Sequence, residues 1–282
     1  MSGARLRYDV NLSILFTELP LLQRPAAAAA AGFDAVELWW PFTVPAPPDR
    51  ELDALRRALA DAGTQLVGLN FDAGEMAAGD RGLLSRPGDS ARFRENVDVA
   101  VGFAASTGCT VLNALYGNRD VRAGAAAQRE LAVENLALAA RAAGRVGATV
   151  VIEALNSLEN PGYPITSSRE ALQLVDHLRF THGLGNVAFL ADLYHLARMG
   201  EPIEDLVASR SDRFGHVQIA DSPGRGRPGT GDLRLPAVLD RLAASGYRGW
   251  VGLEYKPGGP GADSFDWLPH HLRATAEAEA LR

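Results

Sequence analysis

Residues 146–155 read VGATVVIEAL. A glycine, Gly147, follows an alanine-rich helical stretch; the run Thr149 to Ile152 is then wholly β-branched and closes on Glu153. Glycine just past a helix takes the left-handed conformation that ends it. β-Branched residues suit a pleated strand, and a run without polar alternation implies burial on both faces, as in a parallel sheet. The same form recurs as AGFDAVELWW (31–40), AGTQLVGLNF (62–71), TGCTVLNAL (107–115), LGNVAFLAD (184–192), FGHVQIAD (214–221) and SGYRGWVGLEY (245–255). The punctuating glycines are Gly32, Gly63, Gly108, Gly147, Gly185, Gly215 and Gly246. With YDVNLSI (8–14) the pattern predicts eight strands.

Amphipathic segments fill the intervals: Asp49–Ala62, Ser90–Thr107, Gln128–Val146, Ser168–Thr181, a short one around Ile203–Ala208, Leu235–Ser245 and Ser264–Leu281. In the first of these Leu52, Leu55 and Leu59 share one helical face. Strict alternation of strand and helix implies a parallel sheet. Eight units in 282 residues match a (β/α)₈ TIM barrel spanning 1–282 as one domain. An open doubly wound sheet is disfavoured, because no GxGxxG follows a first strand. Two connections are long, 72–89 (DAGEMAAGDRGLLSRPGD) and 221–234 (DSPGRGRPGTGDLR). Both follow strands, so both are expected over the C-terminal mouth, as lid or substrate-binding loops.

Four late strands carry a polar residue at or near their ends: Glu153, Asp192, Gln218 and Glu254. A buried acid is costly unless paired. Several converging on one barrel mouth suggest a shared partner, the simplest being a divalent cation. The competing reading is a set of rim salt bridges with Arg225 or Lys256.

Hydrophobic residues make up 47% and charged residues 22%, ordinary for a globular chain. The net charge of −6 argues against nucleic acid as a partner, since a polyanion needs a basic face. The one cysteine, Cys109, forbids an intrachain disulfide and fits a reducing compartment. No stretch has the length of a membrane span or the clean apolar run of a signal peptide, so a cytoplasmic location is expected.

NLSILF, GFDAVEL, AAGDRG, VEN, IEALN, DLYH, GHVQIADSPGRGRPGTGD and GWVGLEYKP lie in this order along nearly the whole chain. In these pieces the chain resembles the hydroxypyruvate isomerase family of the xylose-isomerase-like barrels. The resemblance implies an aldose-ketose type isomerase acting on a small 2-keto acid, hydroxypyruvate to tartronate semialdehyde, with a 2-oxo-tetronate or longer ketose as the alternative substrate. It assigns metal ligands to Glu153, Asp192, Gln218 and Glu254, and the acid/base pair to Glu153 and Glu254. It also implies a homo-oligomer, a dimer or larger. An all-oxygen ligand set suits a hard cation, Mg²⁺ or Mn²⁺, better than zinc. The chain departs from the family after strand three. There the family has a histidine-asparagine pair and a Leu-Pro-Ala-Gly-Asp-Trp run, whereas this chain reads Leu69, Asn70 and FDAGEM.

Other candidates carry two readings each. Asp221 competes with Gln218 as a ligand. His195 is a donor to a substrate oxygen or a packed histidine. His216 orients a ligand or sits in the core. Arg225, at the family's arginine position, and Lys256 are rivals for a substrate carboxylate, since guanidinium binds carboxylate bidentately. Glu159, in the loop after strand five, is a candidate to reach a substrate hydroxyl. Glu37 either bonds within the site or pairs structurally, and Trp39, Trp40 and Phe42 either wall the pocket or pack. Metal-dependent DNA endonucleases of related barrels need a histidine-rich cluster and a basic groove; this acidic chain with six histidines fits neither. A sugar-binding protein without turnover is the remaining alternative, though two glutamates exceed what binding requires.

Overall fold

All eight apolar runs form strands in the computed structural model, which describes residues 5–275. They are β1 (Arg7–Asn11), β2 (Ala35–Leu38), β3 (Gln65–Asn70), β4 (Val111–Asn113), β5 (Thr149–Glu153), β6 (Val187–Asp192), β7 (Phe214–Ile219) and β8 (Trp250–Leu253). They close a barrel in chain order, every strand parallel to both neighbours. The open doubly wound alternative is thereby excluded. The helices are α1 (Arg24–Ala30), α2 (Asp49–Ala62), α3 (Ser90–Thr107), α4 (Ala125–Gly144), α5 (Ser168–His182), α6 (Leu193–Arg198), α7 (Ile203–Arg210) and α8 (Leu235–Ala244). α5 starts on a reciprocal cap: the Ser167 hydroxyl accepts from the Glu170 amide and donates to the Glu170 carboxylate.

Three expectations need correction. β1 ends at Asn11 and does not run on to Ile14; Asn11 instead turns the chain, its carbonyl accepting from the Leu15 amide. Two of the seven glycines are not helix caps. α5 closes on Gly183, not Gly185, and Gly215 lies within β7 where the pairing with β6 skips a residue. A Cβ at Gly215 would stand 2.8 Å from both the Ala188 Cβ and the Val151 Cγ1, so packing selects the glycine there. Last, Ser264–Leu281 is not a helix as far as Thr275. Two 3₁₀ turns, Gly261–Ser264 and His270–Leu272, replace it, and the remainder of that span lies outside the described residues. Pro269 lacks the amide a continuing helix needs. Phe265 is instead buried among Phe16, Phe33 and Tyr255, and Arg273 donates to the carbonyls of Ala31, Phe265 and Leu268.

The main core lies between the outer face of the barrel and the helices. Two smaller clusters stand apart: Ala35, Val67 and Trp250, and Val111, Val151 and Leu190 with Ala188. By the two-residue alternation of a strand, Ala35 shares a face with Glu37, Val151 with Glu153, and Leu190 with Asp192. The barrel interior is thus an apolar plug at the N-terminal end beneath a polar layer at the mouth, the end where such barrels carry their sites.

Both long loops are tied down. Gly82 in the first bridges to Tyr116. In the second, Asp221 bridges to Gly226, and the Asp221 carboxylate accepts from the amides of Ser222, Gly229 and Leu233. Asp221 is therefore spent on the loop's shape, which separates it from Gln218.

Candidate active site

The mouth holds a cavity of about 420 Å³. Glu153, Glu159, His195, Arg225, Glu254 and Lys256 all line it. Asp192, the last residue of β6, lies beside them: its carboxylate, that of Glu153 and the His195 ring have ligand atoms within 4.8 Å of one another. Asp192 also caps α6, one oxygen accepting from the Tyr194 and His195 amides. Gln218 is paired in register with Asp192. So the parallel register brings together all the residues singled out from strand ends.

Glu37 is the hub beneath them. Its Oε1 accepts from Gln218 Nε2 at 2.8 Å and from Asn11 Nδ2 at 2.9 Å. Its Oε2 lies 2.7 Å from His216 Nε2. Burial pulls the His216 pKa down, but Glu37, with Asp9 and Glu254, pulls it up more strongly, so the net shift is upward. Two glycines make room for this carboxylate. A Cβ on Gly252 would stand 2.7 Å from Glu37 Oε1, and one on Gly68 3.2 Å from Glu37 Oε2. Glu37 thus fixes the Gln218 amide, and His216 backs Glu37.

Glu254 receives three donors. Oε1 accepts from Trp39 Nε1 at 2.7 Å and Asn11 Nδ2 at 3.0 Å, and Oε2 accepts from Arg225. The rim ion pair read from sequence is therefore real and is made by Arg225, whose guanidinium also lies 3.8 Å from Asp192 Oδ2. Glu153 has a weaker hold, accepting from Asn113 Nδ2 at 2.8 Å. Burial, then the charges of Glu254 and Asp192, push the Glu153 pKa well above the usual carboxylate range. Burial and Glu254 push Asp192 up to about 8 against the pull of Arg225. Burial raises Glu254 too, opposed by Arg225.

His195 is buried and neutral. Burial, then Arg225 and Arg81, lower its pKa well below the ordinary value. The Asn156 backbone amide donates to its Nδ1 at 3.1 Å, which leaves the proton on Nε2, 3.6 Å from Asp192 Oδ2. Trp39 belongs to the wall, whereas Trp40 and Phe42 pack edge to face outside the main cavity.

The donor set suits a metal. Glu153, Asp192 and His195 form one acidic-histidine group that could hold an ion. Asp192 Oδ2 and Gln218 Oε1 are buried without any hydrogen-bond partner. Because the Gln218 amide nitrogen is spent on Glu37, the orphan is its carbonyl oxygen, a hard donor. Buried oxygens without partners beside mutually repelling carboxylates are what a cation would satisfy.

Several polar residues at the mouth escaped the sequence reading. Asn11, Asn70 and Asn113 end β1, β3 and β4 as Glu153, Asp192 and Gln218 mark later strands, so the polar strand-end signal extends to the early strands. Asp9 gave no signal. It is fully buried below Glu37, both carboxylate oxygens lack hydrogen-bond partners, and His216 Nε2 is 3.9 Å away. Burial first, then Glu37, raise its pKa well above the usual range, with His216 opposing. A raised folded pKa contributes stability at acid pH that is lost as pH climbs from about 4, the unfolded value, through the folded value. Asp9→Asn is expected to flatten that decline in urea midpoints measured across pH; an unchanged slope would mean that Asp9 is not the group responsible.

Comparison with known proteins agrees with this fold. The model of the xylose isomerase-like TIM barrel family matches residues 25–275. A Streptomyces coelicolor protein provisionally named hydroxypyruvate isomerase is 60% identical, over 97% of this chain and 99% of its own length. The hydroxypyruvate isomerase of Escherichia coli is 35% identical, over 89% of this chain and 94% of its own. A 2-oxo-tetronate isomerase of Cupriavidus necator is 34% identical, over 94% and 98%. A crystal structure named AP endonuclease, family 2, from Brucella melitensis superposes with a TM-score of 0.84 at 36% identity, covering 93% of this chain and 98% of that one.

Proposed function

This chain belongs to the hydroxypyruvate isomerase family of xylose isomerase-like TIM barrels and is an isomerase, and from that premise we propose that it interconverts hydroxypyruvate and tartronate semialdehyde. The observation that carries the reading is the pair of buried glutamates, Glu153 and Glu254, facing one cavity with Asp192 between their strands. The reaction takes a proton from C3, passes through an enediolate and returns a proton at C2, while the hydroxyl proton moves from O3 to O2. Glu254, held by three donors, acts as base; Glu153, held by Asn113 alone, returns the proton. In the reverse direction they exchange roles. Each is expected to contribute about 10²–10⁴ in rate.

Glu153, Asp192, Gln218 and Glu254 would hold the cation, Mg²⁺ or Mn²⁺. Once bound, it supplies Lewis acidity for the charge that develops on the substrate oxygens, worth several kcal/mol. His195 donates from Nε2 to a substrate oxygen, and Glu159 receives a hydroxyl. Arg225 favours the ionised form of Glu254, and Lys256 adds positive charge at the rim. The whole chain works as one barrel domain with both long loops over the mouth, in the cytoplasm, as a homo-oligomer. No helix among the described residues is long and apolar enough to cross a membrane.

The test is hydroxypyruvate isomerisation, with the product trapped by an NADH-dependent tartronate semialdehyde reductase. Chelation is expected to abolish turnover, and added Mn²⁺ or Mg²⁺ to restore it. Full activity in protein shown to be metal-free would remove the cation from the scheme. A 2-oxo-tetronate is the second reading, favoured by Met76 lining the cavity after β3, in a loop that departs from the family's, and by the likeness to a 2-oxo-tetronate isomerase. A substrate panel decides between them.

A further inference from the structure

Three cationic side chains line the cavity besides the neutral His195: Arg81, Arg225 and Lys256. Their surroundings differ. Arg225 is already committed to Glu254 and Asp192. Lys256 is exposed at the rim, a strongly hydrated point charge on a flexible stem. Arg81, in the first long loop, is half-buried and fixed, yet no acid among the described residues holds it. Its Nε donates to Asn160 Oδ1 at 2.6 Å, and its Nη1 to the carbonyls of Met76 at 3.0 Å and Asp80 at 2.6 Å. All three acceptors are neutral. Among the described residues Nη2 has no hydrogen bond and the guanidinium no ion pair.

The adjacent acid is used elsewhere. The Asp80 carboxylate pairs with Arg86 at 2.6 Å and accepts from the Glu75 amide. The loop therefore places a guanidinium at the cavity wall, immobilises it through neutral oxygens and leaves its charge uncompensated. Its field is felt in the site, since Arg81 helps to keep His195 neutral. A guanidinium ordered in advance, with a free edge and no internal counterion, suits an anion that arrives with the ligand.

We propose that Arg81 is the specificity residue that takes the substrate's carboxylate, and so selects 2-keto acids over neutral ketoses. This rests on the reading of a 2-keto acid substrate given above. It moves carboxylate recognition from the second long loop, where Arg225 lies, to the first. Arg225 is left to the glutamates.

The test separates this role from the isomerisation itself. Pyruvate and hydroxyacetone differ only in a carboxylate against a hydroxymethyl group, and neither is hydroxypyruvate. Their binding to metal-loaded wild type, Arg81→Met and Arg81→Lys is followed by tryptophan fluorescence, with Trp39 in the cavity wall. Wild type is expected to prefer pyruvate, and Arg81→Met to lower the pyruvate-to-hydroxyacetone affinity ratio about 10- to 100-fold, the usual size of a charge-assisted hydrogen bond. Arg81→Lys should recover part of the ratio. A loop merely loosened by the loss of the Asn160 contact would weaken both ligands together, and that result would overturn the proposal. So would a wild type without preference for pyruvate. If the ratio falls as expected while wild type fails to turn over hydroxypyruvate, Arg81 keeps its role and the proposed reaction is the part that is wrong.

Discussion

Glu254→Gln is expected to lower kcat on hydroxypyruvate by about 10³-fold while the protein stays folded. The substitution keeps the side-chain volume, so the layer around Trp39 and Asn11 is not opened. It removes the charge that pairs with Arg225, and an amide cannot accept a proton from carbon. Two of the three donors can still be satisfied by the amide oxygen, and Arg225 retains Asp192 at 3.8 Å. Stability should therefore change far less than activity. Turnover is read by the coupled reductase assay and folding by thermal melting of the same preparation. A Glu254→Gln enzyme that turns over nearly as fast as wild type would end the two-glutamate scheme. A variant that fails to melt cooperatively would instead assign Glu254 a structural role.

Glu37→Leu is expected to cost about 3–5 kcal/mol of stability and to abolish activity, because it breaks a buried pair by removing one partner. His216 would lose its partner at 2.7 Å, with only Asp9 left at 3.9 Å. Gln218 would lose the acceptor that orients it, and Asn11 would keep only Glu254. The Gln218 carbonyl would no longer be presented to the site, so metal affinity should fall as well. Urea denaturation measures the first effect and equilibrium dialysis with Mn²⁺ the second. Glu37→Gln keeps an acceptor for Gln218 and should be milder on both counts. Equal stability of Glu37→Leu and wild type would show that the pocket formed by Gly68 and Gly252 is not built around this carboxylate.

Much of this protein can be read along the chain, and the reason is periodicity. Strand, glycine, helix and strand recur with burial on both sheet faces, which leaves few architectures for a chain of this length. Because parallel strands all end at the same rim, a polar residue closing an apolar run is placed at the mouth by topology alone. That is why Glu153, Asp192 and Glu254 could be named from their positions and later met around one cavity. The same logic extends to Asn11, Asn70 and Asn113, which close early strands rather than the late ones.

What the chain order cannot express is which side chain faces which across the barrel. Asp9 on β1 and Glu37 on β2 meet His216 on β7 only when the sheet closes. Their pairing depends on register, on the residue skipped between β6 and β7, and on the space left by Gly68 and Gly252. Loop chemistry is equally non-local. Asp221 and Arg225 looked alike as charged residues of one loop, yet Asp221 folds back on that loop's own amides while Arg225 crosses to Glu254. Local sequence pattern set the barrel and its rim, because backbone hydrogen bonding and apolar burial repeat with a short period. The partner of each buried charge was decided by the closed structure, because electrostatic pairing acts through space between residues far apart in the chain.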